Sequence, residues 1–139
     1  MHRDSRVEEG DMTETSDSTC TVSQLKARIR AFVRERDWEQ YHHPKDLAIG
    51  LSIEAAEVLE HFRFRSNEEV AARLEDDELK RQLGHELADV LYFALIMCDY
   101  LDLDASTMLA EKMAISAARY PVSRARGRNL KYTELGEQE

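Results

Sequence analysis

The 139-residue sequence predicts an all-α chain, and three observations carry that reading. Proline occurs only at Pro44 and Pro121, and the five glycines form no repeated turn cluster. The alternation of β-branched and polar residues that marks strands is absent. Apolar residues instead recur three and four positions apart, which places them on one face of a helix. The chain then divides into a disordered N-terminal segment over 1–20, a helical domain over 21–121 built on four main helices, and an irregular tail over 122–139, basic at first.

Each element has its own signal. Thr21 or Ser23 is placed to cap a first helix bearing Val22, Leu25, Ile29, Phe32 and Val33, which should end near Trp38, before His42-His43-Pro44. Pro44 suits the first turn of a second helix, which carries Leu47, Leu51, Val58, Leu59 and Phe62 to about Phe64. Ser66 followed by Glu69 reads as a capping box opening a short helix through Leu74. A third long helix runs from about Asp77 to Leu101. Its second half, Leu87 to Cys98, is apolar on nearly every side, so other protein must surround it, and association of several copies is expected. Asp104 can cap the fourth main helix, which carries Leu109, Met113 and Ala117 and ends before Pro121.

Charge narrows the function. Nineteen Lys and Arg stand against 28 Asp and Glu, a formal net charge of −9. Phosphate backbones are bound by displacing counterions with basic side chains, so nucleic acid is not an expected partner, and divalent cations are the more natural one. Cys20 and Cys98 lie in dissimilar surroundings and suggest no disulfide framework, which suits a reducing cytoplasm. Residues 1–19 contain no apolar run of the kind a secretory signal needs. The longest apolar run is interrupted by Asp89 and Asp99 and is shorter than the ~20 residues of a bilayer span, so no membrane partner is expected.

Two pairs of acids separate from the many others by their helical position. Glu54 continues the row Leu47, Leu51, Glu54, Val58, and Glu86 continues the row Leu79, Leu83, Glu86, Val90, Phe93. Glu57 and Asp89 follow three residues on, about 60° around the same faces. Four carboxylates buried where two helices meet would be costly or would protonate. No Lys or Arg lies within four positions of Glu54, Glu57, Glu86 or Asp89 to offset them. Hard oxygen donors without Cys or paired His suit Mg²⁺, with Mn²⁺ able to substitute. The competing reading makes these acids solvated surface groups. A ferritin-like di-iron site is disfavoured, because the only Glu-x-x-His, Glu39 to His42, falls at a helix break. His42, His43, His61 and His85 read as helix-end or packing residues.

Glu54-x-x-Glu57 followed by Glu86-x-x-Asp89 on two helices resembles the motif of the MazG-like nucleoside triphosphate pyrophosphohydrolases. Phe32 and the segment Glu35-Arg36-Asp37-Trp38-Glu39-Gln40-Tyr41-His42, with Pro44 and Leu47, resemble the dCTP pyrophosphatase subgroup, as do Lys112-Met113, Arg119-Tyr120-Pro121 and Lys131-Tyr132-Thr133-Glu134-Leu135. The resemblance covers about Leu25 to Leu135. It implies a MazG-like helical bundle assembled as a dimer or dimer of dimers, which hydrolyses a nucleoside triphosphate to the monophosphate and pyrophosphate with Mg²⁺. It makes Glu54, Glu57, Glu86 and Asp89 the metal ligands and catalytic acids. Trp38 becomes the base-stacking aromatic, and Lys112 and Tyr120 lie near the phosphates.

The chain departs from the subgroup at several pocket positions. Ile29 stands where a His is usual, Phe64 where a Trp closes the second helix, Phe93 beside Tyr92 where a Tyr is usual, and Ser116 where an Asn is often found. Phe64 and Phe93 keep the aromatic character of a base pocket. Loss of hydrogen-bonding groups bears on base choice more than a changed stacking surface does. The expectation is therefore a house-cleaning enzyme favouring dCTP or modified dCTP. The alternatives are a dUTPase-like or broad dNTP pyrophosphatase and, from another class, a non-catalytic helical interaction module. Arg119, Arg124, Arg126, Arg128 and Lys131, with no acid among them, suit either a polyanion clamp or a solvated or intersubunit strip.

Overall fold

A computed structural model describes residues 15–136, which fold as helices and short connections without strands. The six helices are α1 (Val22–Glu35), α2 (Pro44–Glu60), α3 (Asn67–Arg73), α4 (Asp77–Tyr100), α5 (Ala105–Arg119) and α6 (Val122–Ala125), with 3₁₀ turns at Glu39–Tyr41 and Tyr132–Glu134. Most of the expected disordered segment lies outside the described residues. Its last part is a hydrogen-bonded turn, in which the amides of Thr19 and Cys20 donate to the Ser16 carbonyl.

Side-chain caps set the helix starts. Thr21 and Gln24 form a reciprocal capping box at α1, and Ser66 and Glu69 form another at α3. Asp76 accepts from the amides of Glu78 and Leu79 at α4, and Asp104 accepts from Thr107 at α5. Helix ends differ more from expectation. α1 stops at Glu35 because Asp37 takes a left-handed conformation (φ 53°), with its amide on the Arg34 carbonyl and that of Trp38 on the Val33 carbonyl. Asp102 closes α4 in the same way. α2 stops at Glu60, before the Phe64 expected from periodicity.

α2 packs along α4, and α1 lies on α4 as well. Val33, Leu47 and Ile96 form the buried centre, with Ile29, Tyr92, Phe93 and Met97 packed around it. α5 has no comparable packing against any other helix of the chain, and Leu109 and Met113 are 62% and 63% exposed. The tail is more regular than expected. Leu135 is buried, Arg124 donates to the Gly136 carbonyl, and the rings of Tyr120 and Tyr132 meet edge to face at 6.0 Å. No helix among the described residues is long and apolar enough to cross a membrane.

Candidate active site

The antiparallel contact of α2 with α4 brings the acids together. Oxygens of Glu54, Glu57 and Glu86 lie within 4.8 Å of one another, close enough to share one cation. Asp89 falls outside that trio, but its charge acts on Glu54 together with those of Glu57 and Glu86. Desolvation, and then repulsion from these three carboxylates, pushes the Glu54 carboxyl above its ordinary value of 4.5.

Burial is where the sequence argument overreached. Glu54 and Glu86 are half-buried, while Glu57 and Asp89 are exposed. Periodicity puts them on the faces of α2 and α4 that converge, with Glu57 and Asp89 at the exposed edge of that seam. Among the described residues none of the four acids forms an ion pair. What calls for a cation is therefore convergence of like charge without a basic partner, more than the cost of full burial.

Trp38 and Phe93 belong to one aromatic row. Phe32 meets Trp38 with ring centres 5.8 Å apart and Tyr92 at 6.3 Å, and Tyr92 meets Phe93 at 5.3 Å, all edge to face. Tyr92 and Phe93 sit one helical turn beyond Asp89, so the row ends beside the acids. Phe32 and Tyr92 were not singled out as site residues, although Tyr92 follows Asp89 by three positions, which is one face of a helix. The Arg36 guanidinium lies 3.7 Å over the Phe32 ring and donates to the Phe32 carbonyl.

Among the described residues, no ion pair or ring contact joins Phe64, Lys112 or Tyr120 to the acids. Phe64 is 91% exposed, with Arg63 stacked on its ring at 4.5 Å. Lys112 lies on the unpacked α5, and Tyr120 at its end stacks with the tail. A groove of about 300 Å³ between α1 and the C-terminal half of α4 holds Ile29 and the Arg30–Asp99 ion pair, but none of the four acids.

Comparison with known proteins fits this geometry. The MazG-like family matches residues 49–135, which contain both acid pairs and the Lys112 and Tyr120 segments. The chain belongs to the MazG-like family. It is 32% identical over 115 residues to dCTP pyrophosphatase 1 of Rattus norvegicus and of Homo sapiens, a match covering 83% of this chain and 68% of each relative. A crystal structure of a pyrophosphatase from Archaeoglobus fulgidus superposes with a TM-score of 0.66 at 37% identity, over 71% of this chain and 91% of the other.

Proposed function

We propose that the chain, a nucleoside triphosphate pyrophosphohydrolase by family, adds water across the α–β phosphoanhydride of a deoxynucleoside triphosphate with Mg²⁺ bound, giving the monophosphate and pyrophosphate. The observation that carries this reading is the convergence of Glu54, Glu57 and Glu86 within 4.8 Å, beside Asp89 and without an ion-pair partner among the described residues. The donor set fits the ion: all are hard oxygens, and Mg²⁺ is held through a few carboxylates and substrate phosphates. Bound Mg²⁺ supplies charge neutralisation for the triphosphate and a water of lowered pKa. Glu54, Glu57 and Glu86 would hold it, with Asp89 completing the negative field. The aromatic row, which starts at Phe93 beside the acids and runs through Tyr92 and Phe32 to Trp38, offers a stacking surface for the base.

The relatives named dCTP pyrophosphatase support dCTP as the preferred substrate, and the proposal extends to modified dCTP and to nucleotide-pool house-cleaning in the cytoplasm. Ile29 packs against the apolar core, and it supplies no hydrogen-bonding group where the subgroup usually has a His. That observation keeps a broader dNTP or dUTPase-like preference in play. The family places Lys112 near the phosphates, and the same helix leaves Leu109 and Met113 exposed, so a homodimer or homotetramer that covers α5 is part of the proposal.

Pyrophosphate release should be measured with dCTP, 5-methyl-dCTP, dUTP, dTTP and purine dNTPs, with and without Mg²⁺. The expected product is pyrophosphate, Mg²⁺-dependent and fastest with a cytosine nucleotide. Glu54→Ala or Asp89→Ala should lower the rate by at least ~100-fold with the helical content unchanged, on the scale of losing a preorganised electrostatic group. Release of inorganic phosphate instead would overturn the reaction class.

A further inference from the structure

α2 contains a glycine at position 50, well inside the helix, where glycine is less favourable than alanine. A Cβ built on Gly50 would lie 2.4, 2.6 and 2.8 Å from three carbons of the Phe93 ring. The ring therefore occupies the space of the missing methyl and rests on the bare backbone of α2. Gly84 in α4 presents the opposite case, with nothing within 4 Å of its Cβ position.

The contact has a defined place relative to the acids. Leu47 and Ile96 meet in the buried centre, and Gly50 and Phe93 meet one turn nearer the acids. Continuing along the antiparallel pair, four residues from each leads to Glu54 and Asp89, and three more to Glu57 and Glu86. We infer that Gly50 is a positioning residue for the acid cluster: by admitting the Phe93 ring against its backbone, it sets the separation of α2 and α4 one turn before the carboxylates converge.

A methyl at position 50 needs roughly 3.5–4.0 Å to the ring carbons, so the ring or the helix must move by about 1 Å. The ring has little freedom to give way. Tyr92 packs edge to face with it, Phe32 packs against Tyr92 in turn, and Val33, Leu47 and Ile96 form the adjoining core. Ligand distances around a bound divalent ion tolerate only about 0.2 Å. A displacement of that size along the seam therefore loosens the cluster without removing a ligand.

The inference rests on the acids forming a divalent-cation site, so the test reads cation binding directly. Mn²⁺ binding to the full chain would be followed by electron paramagnetic resonance and calorimetry for wild type, Gly50→Ala, Gly50→Ala/Phe93→Leu and Gly84→Ala. The expected result is an affinity at least about ten-fold weaker in Gly50→Ala, the scale of lost ligand orientation, near wild type in the double variant and unchanged in Gly84→Ala. A Gly50→Ala chain that fails to fold but regains fold and Mn²⁺ affinity with Phe93→Leu supports the same inference. Wild-type affinity in Gly50→Ala, or a folded double variant that does not regain it, overturns it. Absence of Mn²⁺ binding by the wild type would remove the cation site itself, and the inference with it.

Discussion

Glu54 is the acid on which both burial and repulsion act, and each raises its carboxyl above the ordinary value of 4.5. A raised folded pKa means that the metal-free native state holds this proton more tightly than the unfolded chain does. Its contribution to stability is therefore present below the ordinary value and is lost as pH rises through the raised one. Ligation needs the deprotonated form, so cation affinity climbs across the same window. Thermal scans over a pH series should show the metal-free midpoint falling slightly from pH 4.5 upward while stabilisation by Mg²⁺ grows. Glu54→Gln should flatten the fall of the metal-free midpoint and weaken stabilisation by Mg²⁺ at every pH, because amide and carboxyl are alike in size but only the carboxyl titrates and ligates, while Glu57 and Glu86 still titrate. A metal-free midpoint that falls as steeply in Glu54→Gln as in the wild type would locate that titration elsewhere.

At the scale of the elements, helix starts were legible because capping side chains announce them: Thr21, the Ser66–Glu69 pair and Asp104 all cap where the sequence placed them. Helix ends were harder. Asp37 and Asp102 close α1 and α4 in a left-handed conformation that no glycine advertises. The exit of α2 is more unusual, since Phe64 takes φ 60° with its ring almost wholly in solvent. A bulky residue in that region costs about 1–2 kcal/mol, and among the described residues the Arg63 stack is the ring contact available to offset it. Such strain persists most often where the residue serves function. Phe64→Gly should stabilise the chain to chemical denaturation by about 1 kcal/mol, after allowing for the freedom glycine adds to the unfolded state. If the ring is part of the base pocket, KM for dCTP should rise several-fold while kcat changes little. Unchanged KM would reduce Phe64 to a helix exit.

For the whole molecule, periodicity identified the apolar faces but not what covers them. The all-round apolar half of α4 signalled a partner in the sequence, and Leu87 and Leu91 are indeed half exposed in the single chain. α5 gave no such warning, because an apolar row at Leu109 and Met113 reads the same whether it faces its own core or another molecule. In the structure that row is mostly exposed, and α5 has no extensive packing on another described helix. Covering one Leu or Met side chain contributes about 1.5–3 kcal/mol, so Leu109 and Met113 together with Met108 and Ile115 offer enough apolar surface to drive association. Lys112 sits on this same helix, beside Met113. If a second copy seats α5, it also carries that lysine toward the acids, and assembly and catalysis become one property. Leu109→Asp with Met113→Asp should therefore give a monomer by light scattering, lower the thermal midpoint and reduce pyrophosphate release by at least ~10-fold, the scale of losing a positioned charge. Mn²⁺ affinity should change far less, because Glu54, Glu57 and Glu86 converge within one chain. A monomer that retained full activity would separate Lys112 from the reaction and leave α5 with assembly alone.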